Sequence, residues 1–274
     1  FVSSSYGAVG GGSWNEVGMS ATVAGGTSNT AAGAYGSVGG GYDNWASAVA
    51  HVGGGSGNAA SGEYAAIGGG EGNIAASYGF VGGGGSNSVL AFGAVVGGEW
   101  NTAAAYSFVG GGVSNSALSS QAFVGGGEWN TAGGQHSVVV GGVSNIAEAA
   151  GSGVGGGRAN TATGIYSAVG GGISNSAAGY GSVVNGGSEN VAIGANAGIG
   201  SGTYNVAVGP QAVVGGGSFN AANADYSAVG GGLSNTAMGF GAFVGGGSAN
   251  TAGSSVSGVA SGESNVAVAY SSFV

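Results

Sequence analysis

The sequence has no cysteine, one proline and a single basic residue, Arg158, among its 274 residues. Without cysteine there is no disulfide framework and no cysteine-ligated metal site, a usage that also suits an extracellular protein. A collagen-like chain is excluded, because it needs abundant Pro and Gly at every third position. No run of about 18 apolar residues is present, so we expect no membrane-inserted segment.

Charge is scarce as well, with charged residues at 4% and apolar residues at 43% of the chain. Disordered chains show the opposite balance, so the composition favours a folded protein. Ten acidic residues against one basic residue give a net charge of −9, which disfavours nucleic acid as a partner. What is abundant is glycine, with 71 residues, and Gly costs about 1 kcal/mol relative to Ala inside a helix. We therefore expect a fold without helices.

An internal repeat of 14 or 15 residues runs through the chain. With Asn as repeat position 1, the unit reads roughly Asn-Thr-Ala-x-Gly-x-Tyr-Ser-x-Val-Gly-Gly-Gly-x-Ser, as in residues 160–174. Position 10 is always Val or Ile, position 3 is nearly always Ala, and position 8 is Gly, Ala or Ser. Positions 2, 4, 6 and 9 vary freely. Because constant and variable positions alternate, each unit is predicted to hold two short strands, at positions 2–4 and 7–10.

A repeat of this length predicts an all-β fold, a parallel β-solenoid in which each coil stacks on the next. We expect about eighteen coils over residues 1–274, as a single repetitive body that is a segment of a longer fibre. Gly at positions 11–13 and Asn at position 1 should form the corner between the strands, since both residue types tolerate the left-handed region. The predicted core includes Val9, Ala31, Val38, Val169, Ala177, Val229 and Val244.

The recurring Asn allows two interpretations. The stacked side chains could form an amide ladder in which each bonds to the next, or each Asn could simply suit its own turn. The residues concerned include Asn29, Asn44, Asn101, Asn160 and Asn235.

Three stretches resemble the head repeats of trimeric autotransporter adhesins, which carry a Val-Ala-Ile-Gly core. These are Asn190-Val-Ala-Ile-Gly, Asn205-Val-Ala-Val-Gly and the weaker Asn265-Val-Ala-Val-Ala. The resemblance implies a left-handed β-roll, three chains side by side and display on a bacterial surface. Most other copies have Thr-Ala or Ser-Ala instead, and phage and other extracellular fibres also use such repeats.

The interior of one coil offers one Val or Ile, one Ala and one small residue, which is little apolar area for ordering fifteen residues. Position 9 is nevertheless predicted to place Phe or Val outward in many coils, and an exposed apolar stripe marks an interface. We therefore expect self-association, in trimers and end to end. Exposed Trp at position 15 could also stack on a host or surface glycan or protein. The predicted contact residues are Phe80, Val95, Phe108, Phe123 and Phe243 at position 9, and Trp14, Trp100 and Trp129 at position 15.

No group of residues indicates a reaction. His51 and His136 are about six coils apart, and the acids are scattered over variable positions, with only Glu99 and Glu128 repeating a position within two coils. We expect no catalytic residue, no metal, no cofactor and no enzymatic activity.

The pattern as a whole favours a fibrous extracellular protein at a cell surface, the head or shaft of an adhesin or filament. The alternative is a purely structural filament, a sheath or phage-type fibre that binds no receptor. Thr at position 2 of several coils raises ice binding, but Trp45, Ile74 and Val191 interrupt the ranks that a flat ice-binding face needs.

Overall fold

The computed structural model describes residue 2 and residues 5–274. Within these residues the protein has strands, bridges and turns but no helix, and it forms a parallel β-solenoid of about 17 turns. The all-β class and the parallel stacking predicted from the repeat are confirmed. The chain divides into two compact units, residues 1–132 and residues 133–274.

In the first unit the strands alternate between two sheets, sheet A at repeat positions 2–3 and sheet B at positions 9–10. Sheet B contains β1 (Ala8–Val9), β3 (Thr22–Val23), β5 (Ser37–Val38), β7 (His51–Val52), β9 (Ala66–Ile67), β11 (Phe80–Val81), β13 (Ala94–Val95), β15 (Phe108–Val109) and β17 (Phe123–Val124). Sheet A contains β2 (Glu16–Val17), β4 (Thr30–Ala31), β6 (Trp45–Ala46), β8 (Ala59–Ala60), β10 (Ile74–Ala75), β12 (Ser88–Val89), β14 (Thr102–Ala103), β16 (Ser116–Ala117) and β18 (Thr131–Ala132).

The second unit repeats the arrangement. Its sheet B contains β19 (Val138–Val139), β21 (Gly153–Val154), β23 (Ala168–Val169), β25 (Val183–Val184), β27 (Gly198–Ile199), β29 (Val213–Val214), β31 (Ala228–Val229), β33 (Phe243–Val244) and β35 (Gly258–Val259). Its sheet A contains β20 (Ile146–Ala147), β22 (Thr161–Ala162), β24 (Ser176–Ala177), β26 (Val191–Ala192), β28 (Val206–Ala207), β30 (Ala221–Ala222), β32 (Thr236–Ala237), β34 (Thr251–Ala252) and β36 (Val266–Ala267).

Like positions pair with like positions from one turn to the next. Thr161 of β22 lies beside Ser176 of β24, and Ala162 beside Ala177, both in parallel register. A third ladder of single bridges runs along position 14, for example from Ser218 through Leu233. Each strand holds only two residues, shorter than predicted, because positions 4, 7 and 8 already belong to the turn between the sheets.

Side chains at positions 1, 3, 8 and 10 point into the solenoid. Of the predicted core, Ala31, Val38, Val169, Ala177, Val229 and Val244 are buried, with at most 1% of their surface exposed. Val9 is only half-buried, because it lies in the first turn, on which a described turn stacks from one side alone.

Val95 lies on the opposite face of its strand from the one that the sequence predicts. Val95 was predicted to point outward at position 9, but it occupies position 10 of its coil and is fully buried. Ala94 takes the outward place in β13. The reason is the length of this coil. A 14-residue copy is one residue shorter than the full repeat, and the missing residue is in the turn between its sheet A strand and its sheet B strand. Four residues separate β12 from β13 in the coil of Val95, whereas five separate β22 from β23 in a 15-residue coil.

The backbone is left-handed at positions 7, 13 and 15 rather than at the Asn of position 1. Tyr166 has a φ of 59°, Gly172 of 95° and Ser174 of 54°. At Ser174 this conformation turns the N–H toward the preceding turn, where it bonds to the carbonyl of Arg158 at 2.9 Å. Position 13 needs Gly for a second reason, because a Cβ on Gly172 would lie 2.1 Å from the carbonyl oxygen of Gly187.

The two faces of one strand generate a stability prediction. Val169→Asp buries an unpaired carboxylate in the core and should lower the free energy of unfolding by about 4 kcal/mol or more. Ala168→Asp, on the outer face of the same strand, should cost less than about 1 kcal/mol. Thermal and urea unfolding of the two variants checks this, and equal losses would contradict the assignment of the faces.

Candidate functional site

The Asn at position 1 is buried and joins successive turns. In Asn175 the side-chain Nδ2 donates to the carbonyl oxygens of Gly171 and Gly187, both at 2.9 Å, and to Oδ1 of Asn160 at 3.2 Å. Its own Oδ1 accepts from the backbone N–H of Asn190 at 3.0 Å and from that residue's Nδ2 at 3.1 Å. One amide therefore closes the Gly corners of two turns and bonds to the Asn above and below.

The same pattern recurs at the Asn residues singled out in the sequence. The structure contains the amide ladder, and the ladder also serves the turn, so the two interpretations of this residue hold together. Nδ2-to-Oδ1 bonds of 3.0–3.2 Å join Asn44 to Asn29, Asn101 to Asn87, Asn160 to Asn145 and Asn235 to Asn220.

Four aromatic rings stack on the outer surface of the first unit, all at repeat position 7. We call this stack the aromatic ladder; it consists of Tyr64, Tyr78, Phe92 and Tyr106. Their centroids are 5.0, 4.7 and 4.9 Å apart, with interplanar angles of 21°, 5° and 2°. Each ring remains about half exposed. Sequence reasoning missed this feature, although the steps of 14 residues between aromatic residues at one repeat position are its signal.

The contact residues predicted at position 9 lie on the outer face of sheet B. Phe80, Phe108, Phe123 and Phe243 are between 36% and 45% exposed. Phe108 and Phe123 are in successive turns and stack at 5.4 Å. Phe80 is two turns from Phe108, with Ala94 between them in the sheet.

The predicted Trp residues are strongly exposed but are not brought together. Trp14 is 86%, Trp100 61% and Trp129 58% exposed. Trp100 and Trp129 occupy the same repeat position two turns apart, with Ser114 in the turn between. All three Trp residues have left-handed backbone, with φ between 53° and 59°. They present separate apolar surfaces rather than one platform.

The acidic residues that share a position are more numerous than predicted. Position 14 carries Glu71 as well as Glu99 and Glu128, in alternate turns of one ladder, with Gly85 between the first two. A hollow of about 250 Å³ lies there, lined also by Ser86 and Trp100. Within the described part of the chain, no three His, Cys, Asp or Glu side chains gather into a group that could hold a metal ion.

Two titratable side chains on the outer surface take part in hydrogen bonds with another side chain. Ser37 Oγ lies 2.8 Å from Nδ1 of the exposed His51. His136 lies at position 7 of its turn, with a φ of 58°. The hydroxyl of Tyr204 donates to Glu189 at 2.9 Å. This bond, together with the negative charge of Glu189, raises the pKa of Tyr204 above its usual value. Tyr204 also stacks on Phe219 at 4.9 Å.

No protein-family model matches the chain, and no curated protein is similar to it in sequence. The described residues include no helix with the length and apolarity needed to cross a membrane. The solenoid itself offers two features that bear on function: a buried Asn ladder that joins the turns, and outer faces that present aromatic and aliphatic side chains.

The buried ladder predicts a large effect of a small substitution. Asn175→Ala leaves the Gly171 and Gly187 carbonyls and the Asn190 N–H without their side-chain partner, so the free energy of unfolding should fall by about 3 kcal/mol or more. Asn185→Ala is the matched control, because Asn185 is exposed at position 11. Urea unfolding compares the two, and similar losses would show that the amide ladder contributes little.

Proposed function

We propose that this chain is a non-enzymatic, extracellular fibrous protein, the head or shaft of a cell-surface adhesin or filament. One observation carries the proposal: within each unit, successive turns are joined by in-register main-chain bonds and by a buried Asn, as between the turns that begin at Asn160 and Asn175. In this proposal the solenoid is a stiff support, and its outward side chains make the contacts with partners.

Stiffness follows from how the bonds are arranged. Between the turns that begin at Asn160 and Asn175, the N–H groups of Thr161, Ala168 and Gly170 all donate to the next turn at 2.8–2.9 Å. The amide bond of 3.2 Å between the two Asn side chains adds to them. These bonds point from turn to turn, so separating two turns requires breaking them together. A repeat protein with such strong nearest-neighbour contacts resists local opening.

Adhesion would use the variable outer positions. The aromatic ladder presents ring edges along several turns, and the exposed Trp residues present single rings; aromatic side chains of this kind contact sugars and partner proteins. The resemblance to adhesin head repeats supports a cell-surface location and an assembly of three chains. Self-association through apolar residues on the outer face of sheet B belongs to the same proposal.

A stiff extracellular support should resist proteolysis. Arg158 is the only residue after which trypsin can cut. Its N–H donates to the Gly172 carbonyl and its carbonyl accepts from the Ser174 N–H, both in the following turn and both at 2.9 Å. The native chain should stay intact over hours, whereas the urea-unfolded chain should be cut into fragments 1–158 and 159–274. Electrophoresis of the two digests checks this, and equal cleavage rates would contradict a rigid solenoid.

The adhesive role is tested on arrays of glycans and extracellular-matrix proteins. We expect the purified chain to bind a subset of them and the variant Tyr78→Ser with Phe92→Ser to lose at least tenfold in affinity at an unchanged melting temperature. Tyr35→Ser with Tyr42→Ser removes two exposed rings outside the aromatic ladder and is the matched control. A protease-resistant chain that binds nothing on the arrays would favour the purely structural filament.

A further inference from the structure

The outer face of sheet B in the second unit alternates between large and small residues. The large ones project from the face and are between 36% and 46% exposed. The side chains at position 9 follow the order Val138, Gly153, Ala168, Val183, Gly198, Val213, Ala228 and Phe243 along successive strands.

Hollows lie above the small residues. One of about 290 Å³ covers Gly153 and Ala168, between Val138 and Val183. Another of about 240 Å³ covers Gly198, between Val183 and Val213. The face therefore has projections and hollows at the spacing of the turns, about 4.8 Å from one turn to the next.

The two glycines of this face, Gly153 and Gly198, are not required by the solenoid. A Cβ added to Gly198 would meet no atom within 4 Å, and one added to Gly153 would meet only a carbonyl oxygen at 4.0 Å. Neither residue has a left-handed backbone. Gly187 is different, because its φ is 95° and an added Cβ would lie 2.1 Å from the Gly202 oxygen. The chain thus keeps space at Gly153 and Gly198 that its own fold does not use.

The face is also free of charge. The ionic residues of this unit all lie at other repeat positions: Glu148, Arg158, Glu189, Asp225 and Glu263. Positions 9 and 11 hold Gly, Ala, Val, Phe and Asn. A second copy can therefore meet this face without bringing carboxylates together, although the chain has a net charge of −9. Depletion of charge is typical of the centre of an interface.

We propose that this face binds the same face of a second copy of the chain, with the two solenoid axes parallel and displaced by one turn. This inference rests on the self-association in the proposed function but not on an assembly of three chains: it names the surface and the register of a contact between two chains. The displacement sets Val183 of one copy opposite Gly198 of the other, and Val213 opposite Ala228. Every projection between Val138 and Phe243 then meets a Gly or Ala, as in the interdigitated dry interfaces between packed sheets.

Other registers fit less well. Without a displacement, Val183 meets Val183 and the hollows face each other. The series continues past Phe243 with Gly258 and Phe273, which pair in the sheet. An antiparallel pairing that sets Val213 against Gly198 also sets Val138 against Phe273, so two large residues collide. The one-turn parallel displacement avoids both conflicts over the whole series.

Crosslinking between single-cysteine variants tests the register, because the natural chain has no cysteine. A mixture of Val183→Cys and Gly198→Cys chains, carrying different tags, should form a disulfide-linked heterodimer under mild oxidation. Either variant alone should stay at least tenfold below that yield. Crosslinking of Val183→Cys with itself, or with Ala228→Cys, would overturn the proposed register, and the absence of any crosslink would overturn the interface.

Filling one hollow tests the use of the free space. Gly198→Phe should reduce crosslinking between Val213→Cys and Ala228→Cys chains at least tenfold without lowering the melting temperature. Ser176→Phe is the control, since its position 2 holds Trp45 in another turn. Unchanged crosslinking in Gly198→Phe would overturn the interlock. A folded, trypsin-resistant chain that never crosslinks would refute this interface while leaving the proposed stiff support intact.

Discussion

The structure depends on one constraint, that each repeat position stacks on its own copy in the next turn. A residue must therefore be compatible with itself at the spacing of hydrogen-bonded strands. Asn satisfies this condition inside the solenoid because its amide both donates and accepts, so that Asn175 bonds to Asn160 below and Asn190 above. A buried carboxylate at the same place would meet its own charge in every turn.

The same constraint sorts the rest of the repeat. Val or Ile at position 10 and Ala at position 3 fill a narrow interior in which nearly every turn has the same volume. Gly at position 13 lets the backbones of successive turns approach at a left-handed corner, as at Gly172. On the outer surface the stacking of turns does not require one residue type. The aromatic rings, the projecting Val and Phe side chains and the carboxylates all lie on this surface.

The division between a fixed interior and a free exterior is what links the fold to the proposed function. The bonds between turns come from the main chain and the buried Asn, so the side chains of the outer surface can vary while these bonds are kept. The aromatic ladder of Tyr64, Tyr78, Phe92 and Tyr106 and the alternating face around Gly198 are two different surfaces on the same scaffold. The first suits a ligand or partner that contacts aromatic edges, and the second suits a copy of the chain.

The sequence alone determined the fold class, the strand positions and most of the interior, because a constant residue at a fixed period has to stack on itself. It could not place Val95, since the missing residue of a 14-residue copy is located only when the turn between the sheets is seen. The sequence could not distinguish two kinds of glycine. The backbone conformation and close contacts require glycine at Gly172, whereas they would accept a larger residue at Gly198. The ring stacking was decided by tertiary structure too: Tyr78 and Phe92 lie at the same position of turns of equal length and stack at 4.7 Å, whereas Tyr166 and Tyr180 lie at different positions and meet edge to face.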